Sequence, residues 1–293
     1  MIRILMVGAL LTLAASGVSA QDMPAEYKAV LDTLGKTGDY KDGVLKVNIP
    51  RTDVKVSVAG IATPTPFGFG GWVALTPGDG MHVLMGDLVL TEDEVNVVMS
   101  AALAEGLNVT ALHNHFFWDS PRMFYMHVHG HGEPARLAQQ LKPVLALIGG
   151  KRSATGGSGR PIEGALNTAR LSEIIGHAGE QNGSVYKITI GRPDLDVREM
   201  GARINARMGL NTWAAFYGGD RDAVVAGDVA MREGEVRPVL EALRANGLDV
   251  VAIHHHMTGT QPTVIFLHYW GRGPADALAR GVRAAVERTQ ARR

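Results

Sequence analysis

The chain has no cysteine among its 293 residues, which excludes disulfides, thiolate metal sites and a cysteine nucleophile. It has no charge excess, because 29 Lys and Arg balance 29 Asp and Glu. That balance excludes the basic footprint of a nucleic-acid-binding protein and the like-charged tails of disordered interaction proteins. Charged residues make up only 20% against 46% hydrophobic, so a disordered polymer is excluded and a full core is within reach. Beyond the amino-terminal segment no apolar run is long enough to cross a bilayer.

The amino terminus carries a targeting pattern. Arg3 supplies a positive charge, Ile4 to Leu13 an apolar stretch, and Val18-Ser19-Ala20 a small-residue cleavage site. Residues 1–20 therefore read as a Sec-type signal peptide cleaved after Ala20, with Gln21 as the new terminus. The expected location is the bacterial periplasm or the medium, with no membrane span after cleavage. Without cysteine no lipid anchor is expected.

The strongest organisational signal is self-similarity at an offset of 141 residues. Arg51 and Asp53 fall on Arg192 and Asp194, and Trp72 falls on Trp213. Gly86-Asp87 falls on Gly227-Asp228, and Glu94 on Glu235. His113, His115 and His127 fall on His254, His256 and His268. The chain is a tandem duplication, with copy one at 21–148, a glycine-rich linker at 149–164 and copy two at 165–293. The linker reads as flexible and exposed.

Each copy has the same expected layout. A short helix opens it (Pro24 to Leu34; Thr168 to Ile175). In copy one, strands follow at Val44 to Ile49, Val54 to Val58, Gly71 to Leu75 and His82 to Leu90. A helix then runs from Glu92 to Glu105, with Val95, Val98, Met99 and Ala102 at helical spacing. Gly106 and Gly247 suit a left-handed helix end. Two more strands, Asn108 to His115 and Met123 to His129, precede a last helix near Pro134 and Pro274. The pattern predicts an α+β fold: two tandem pseudo-symmetric copies, each an antiparallel sheet with helices packed on one face.

Nine of the 11 histidines sit in two clusters. Strand parity puts Val109, Ala111, His113 and His115 on one face, and Val250, Ala252, His254 and His256 likewise. A reversal centred near Ser120 sets His127 opposite His113; one near Gln261 sets His268 opposite His254. Three converging imidazoles are the ligand type and number that zinc, iron or nickel accepts. The expected metal ligands are thus His113, His115 and His127, with His254, His256 and His268 as a twin site. The bland reading is a network of core histidines hydrogen-bonded to one another and to carboxylates.

Glu94 and Glu235 are the expected catalytic bases or histidine partners. Thr91 and Glu94 also form a capping-box pattern that Arg232 and Glu235 lack. Asp87 and Asp228 are expected to pair with Arg51 and Arg192 as structural ion pairs. Trp72 and Trp213 read as core. Phe67-Gly-Phe-Gly-Gly71 reads as a mobile loop or lip without counterpart in copy two.

Pro50-Arg-Thr-Asp53, Met85-Gly-Asp-Leu-Val-Leu90, Ala111-Leu-His-Asn-His115 and Met126-His-Val-x-Gly130 together resemble the LppY/LpqO family of exported bacterial proteins. The resemblance implies a domain of unknown function in tandem and brings no established activity. The family's named mycobacterial members are lipoproteins, from which this chain departs by lacking the lipid-attachment cysteine.

The leading expectation is an exported protein that binds a divalent metal, zinc first; any chemistry it performs on a small molecule or envelope ligand would be metal-assisted hydrolysis or a related Lewis-acid reaction. Its alternatives are a non-catalytic envelope module for a glycan or protein partner, and a metal store or carrier.

Overall fold

A computed structural model describes residues 22–149 and 156–289. The expected signal peptide lies outside the described residues, as does part of the expected linker. Copy one runs α1 (Ala25–Leu34), β1 (Asp39–Lys41), β2 (Val44–Pro50), β3 (Val56–Val58), β4 (Ile61–Thr63), β5 (Gly70–Pro77), β6 (His82–Thr91), α2 (Glu92–Ala104), β7 (Asn108–His113), β8 (Asp119–Ser120), β9 (Met123–Gly132) and α3 (Pro134–Leu145). Copy two runs α4 (Thr168–Ile175), β10 (Gly179–Asn182), β11 (Val185–Gly191), β12 (Val197–Glu199), β13 (Ala202–Ile204), β14 (Asn211–Gly219), β15 (Asp222–Arg232), α5 (Val236–Ala245), β16 (Asp249–His254), β17 (Val264–Gly273) and α6 (Ala275–Val286).

Each copy builds one six-stranded antiparallel sheet. The orders are β1-β2-β5-β6-β9-β7 and β10-β11-β14-β15-β17-β16, identical under the 141-residue shift. The fold is α+β with a duplicated architecture, and the two sheets remain separate.

Strand parity sorts each sheet into two buried faces. On β6, Leu84, Leu88 and Leu90 join the core made with Tyr27 of α1, Val98 of α2 and Leu137 of α3. The alternate residues Val83, Met85 and Val89 point the other way, into cores that hold residues of both copies. Met85 shares one such core with Ala230 and Phe266, and Val89 shares the other with Ala226 and Trp270. The molecule is therefore four layers deep: helices, sheet, sheet, helices. An antiparallel sheet usually shows one face to water; here the second copy covers it.

Two sequence expectations change. Phe67-Gly-Phe-Gly-Gly71 is not a free lip. Phe67 ends a 3-10 turn, Phe67 and Phe69 are fully buried, and Phe67 stacks on Phe116 while Phe69 meets it tilted. Its counterpart is the turn Ala206–Met208 followed by Gly209 and Leu210, an apolar plug of different residues. The described part of the linker, 156–164, is also held. Gly157 N–H donates to Lys55 O, and Arg160 both donates to Gly60 O and accepts from Ala62 N–H. A Cβ on Gly157 would lie 2.1 Å from Ser120 O, so glycine is there for close approach rather than for slack.

Candidate metal centre

Strand ends on the inner faces of the two sheets bring six histidines to one place. His113 ends β7 and His254 ends β16, with His115 and His256 just beyond; His127 lies in β9 and His268 in β17. His113 and His254 stack with ring centroids 3.8 Å apart. His115 lies 3.7 Å from His268, and His127 lies 4.1 Å from His256. The last two contacts are the same contact with the copies exchanged, which is the signature of a two-fold arrangement. All six rings are buried.

The expected twin sites, one per copy, are thus replaced by a single composite cluster. Its shortest histidine–histidine contacts cross from copy to copy, because each sheet's histidine face is covered by the other's. The expected register is also corrected. His113 opposes Tyr125, and His127 opposes Ala111, with an irregularity between Val109 and Ala111. Copy two pairs His254 with Phe266 and His268 with Ala252. The connection after β7 does not fold straight back as a hairpin, since β8 leaves to pair with β3.

The cluster is rich in unpartnered donors and acceptors. Both ring nitrogens of His113, His115 and His254 are buried without a hydrogen-bond partner, as are Nε2 of His127 and His268 and Nδ1 of His256. Such groups ordinarily find partners, and each left bare costs about 1–3 kcal/mol. His268 Nδ1 lies 3.1 Å from Gly227 O, which fixes the ring and leaves Nε2 aimed inward. The Gly86 carbonyl serves His127 in the same way. Burial pushes all six imidazoles below the ordinary histidine range, His268 to about 3, so the rings are neutral at pH 7. Neutral, unpartnered imidazole is the form that binds a metal. Three groups of donor atoms lie within 4.8 Å of one another: His113, His115 and His268; His113, His127 and His254; and Asp228, His254 and His256. These buried groupings could hold a metal.

The acidic residues divide differently from expectation. Glu94 and Glu235 are held by arginines and helix-start N–H groups. Glu94 pairs with Arg51 at 2.6 Å and accepts the Thr91 and Gly149 N–H groups. Glu235 pairs with Arg192 at 3.0 Å and accepts the Arg232 N–H. Each arginine also holds an aspartate two residues on, Asp53 or Asp194, and reaches a β6 or β15 carbonyl. This explains why Glu235 persists where the cap hydroxyl is gone: it keeps both the arginine and the helix-start N–H satisfied. Asp87 and Asp228, expected on those arginines, point inward instead. Asp87 directly opposes His127, and Asp228 opposes His268. His256 Nε2 lies 3.4 Å from Asp228 Oδ2. Burial, then the neighbouring Asp228, pushes the Asp87 carboxyl up to about 7. Burial also raises Asp228. Parity with Met85 and Val89 was the sequence signal that places Asp87 on the inner face.

Other residues frame the cluster. Lys46 and Lys187 each lie 4.4 Å over the rings of Trp72 and Trp213. Both tryptophans pack on the inter-copy cores as expected, and Trp213 also borders the site, 6.1 Å from both His115 and His268. His129 lacks a histidine counterpart and links the copies: its Nδ1 is 3.0 Å from Glu199 Oε1 and its Nε2 3.0 Å from His256 O.

The domain of unknown function DUF1259 matches the chain twice, over 28–147 and 169–288, and the chain belongs to that family as a tandem pair. No curated protein matches the chain. Among solved structures, the chain is similar to a trimeric bacterial microcompartment shell protein, PduB, at 13% identity and a TM-score of 0.22, over 87% of this chain and 91% of that one. It is similar to EtuB from Clostridium kluyveri at 8% identity and a TM-score of 0.21, over 86% and 89%. Likenesses at that level carry no argument about fold or function. No described helix is long and apolar enough to cross a membrane.

Proposed function

We propose that this tandem DUF1259 protein binds divalent metal, with zinc the first candidate, in a buried centre between its two copies. The observation that carries the proposal is the set of buried imidazole nitrogens without partners, gathered at one point. A metal ion would supply a partner to one nitrogen of each ring that binds it, and nitrogen-rich donor sets suit zinc, copper and nickel. The enclosure of every ring favours a resident ion over a loosely exchanging store. The proposal extends to metal-assisted hydrolysis of a small molecule, for which Asp87, an inward-facing carboxyl pushed up to about 7 by burial, is placed opposite His127 as the base. The signal-peptide pattern adds export to the periplasm or medium as part of the proposal.

Metal analysis of protein purified without a histidine tag tests the reading. Stoichiometric metal that survives dialysis and leaves with a strong chelator is the expected result. Metal-free protein whose melting temperature ignores added zinc would sink it.

A non-catalytic envelope module is the second reading, favoured by the exposed Phe117 and Trp118, whose counterparts Thr258 and Gly259 are not aromatic. Replacing Trp118 by Ala would then abolish envelope retention while leaving metal content unchanged.

A further inference from the structure

The donor groups do more than overlap. His113, His115 and His268 share no member with Asp228, His254 and His256, yet each trio keeps its ligand atoms within 4.8 Å. The first trio crosses between copies, taking two residues from copy one and His268 from copy two. The second lies wholly in copy two. The trios touch where His113 stacks on His254 at 3.8 Å. The third grouping, His113, His127 and His254, borrows one residue from each trio, as a position between two centres would. His127 Nε2 is buried without a partner and its ring lies 4.1 Å from His256, so it stands beside the second trio as a further donor.

Resting on the metal reading above, we propose that the cluster holds two non-equivalent ions, one bound by His113, His115 and His268 and the other by Asp228, His254 and His256. The donor sets differ in kind. Three neutral imidazoles leave a divalent ion with its full charge, whereas two imidazoles and a carboxylate neutralise half of it and suit a harder ion. Each set leaves coordination positions open, and the sites adjoin, which is the arrangement that clamps a small oxygen ligand between two metals. The duplication supplies the means: equivalent His-x-His pairs from the two copies meet, and the residue completing each trio comes in both cases from the β15–β17 side.

The test uses the full untagged chain, loaded with zinc or cobalt(II). Wild type is expected to hold about two ions per chain. His268→Gln and Asp228→Asn are each expected to retain about one, and the double variant none. His115→Gln should match His268→Gln although it lies in the other copy. Cobalt(II) absorption bands should fall into two sets, of which Asp228→Asn alters one. For variants that do not fold, release from wild type to a chromophoric chelator supplies the reading, expected in two phases. One ion per wild-type chain, a single release phase, or folded His268→Gln and Asp228→Asn proteins that each lose all metal would overturn the two-ion proposal and leave one shared centre. No metal in wild type under any loading would overturn the metal reading itself.

Discussion

His113 and His254 occupy the same position in the two copies and stack on each other, ring centroids 3.8 Å apart and planes 19° apart. Neither ring has a hydrogen-bond partner for either nitrogen. The pair therefore has two separable properties, the shape of two flat rings and the ligand capacity of one lone pair on each neutral imidazole. Phenylalanine keeps the first and removes the second. His113→Phe is expected to fold, with a chelated-state melting temperature within a few degrees of wild type, and to lose metal. His254→Phe should behave alike, because the contacts are reciprocal. A metal content undiminished from wild type in both variants would return the histidines to a purely structural role.

Arg51 has a side chain only 3% exposed, and it is held by Asp53 and Glu94 while reaching Val89 O. Arg51→Ala leaves Glu94 without its counter-charge in a site 11% exposed. Losing one partner of such a pair costs on the order of 3–5 kcal/mol. The urea midpoint should fall accordingly, and the metal content of the folded fraction should stay at the wild-type level. Metal loss in a stable Glu94→Gln variant would show instead that Glu94 reaches the centre.

The duplication, the alternation of the strands and the candidate imidazoles were all legible in the sequence, because each depends on local spacing. What covers the alternate face was not. Val83, Met85 and Val89 read as apolar whichever body buries them, and only the assembled sheets show that it is the other copy. The two-residue error in register has a local cause: nothing in the composition of 114–122 announces that β8 leaves to join β3. Glu94 and Asp87 exchanged roles for a related reason. A capping box and an arginine are both visible in sequence, but which carboxylate meets Arg51 depends on a contact between β2 and the start of α2 across 43 residues.

Gly209 offers a test of the inter-copy wall. Its φ is +91°, and a Cβ there would lie 3.1 Å from the Trp72 ring and 3.5 Å from His256 Nδ1. Alanine must tolerate a left-handed backbone, at about 1–2 kcal/mol. It must also push the tryptophan or the histidine, and overpacking adds about 1–3 kcal/mol. Gly209→Ala should lower both stability and metal affinity. Gly234→Ala, which would meet nothing within 4 Å, is the control and should change neither. Equal effects in thermal melts of the two variants would contradict the packing described.

The pH response of the chelated protein follows from the sign of the histidine shifts. Folded-state values lie below the ordinary 6.5, His268 at about 3, so the unfolded chain binds protons that the folded chain refuses. Stability is then fully present above pH 6.5 and declines as pH falls from there towards the folded values. Asp87 acts in the opposite sense: its folded carboxyl is raised to about 7, so its own contribution improves as pH falls. Six imidazoles outweigh that carboxyl and Asp228 together. Urea melts at pH 7.5, 6.5 and 5.5 should show a steady loss of midpoint, and a flat series would mean that the rings are not buried in neutral form.

Metal removal should be felt most at the same place. A ligand that binds the folded state alone stabilises it in proportion to the logarithm of its saturation, about 4 kcal/mol when free metal exceeds Kd a thousandfold. Chelation removes that term and also uncovers the unpartnered nitrogens of both copies. The six-stranded sheets each keep their outer helix-covered core, whereas the inter-sheet face carries the histidines. Loosening should therefore begin between the copies. Hydrogen exchange on chelated protein is expected to speed up at the ends of β7 and β16 and in the segments 113–116 and 254–257, while the inner strands β5, β6, β14 and β15 stay protected. Re-addition of zinc should restore protection at 113–116 and at 254–257 in separate steps, because the two segments supply ligands to different ions. Recovery of both segments in one step would contradict two separate ions and point to one shared centre.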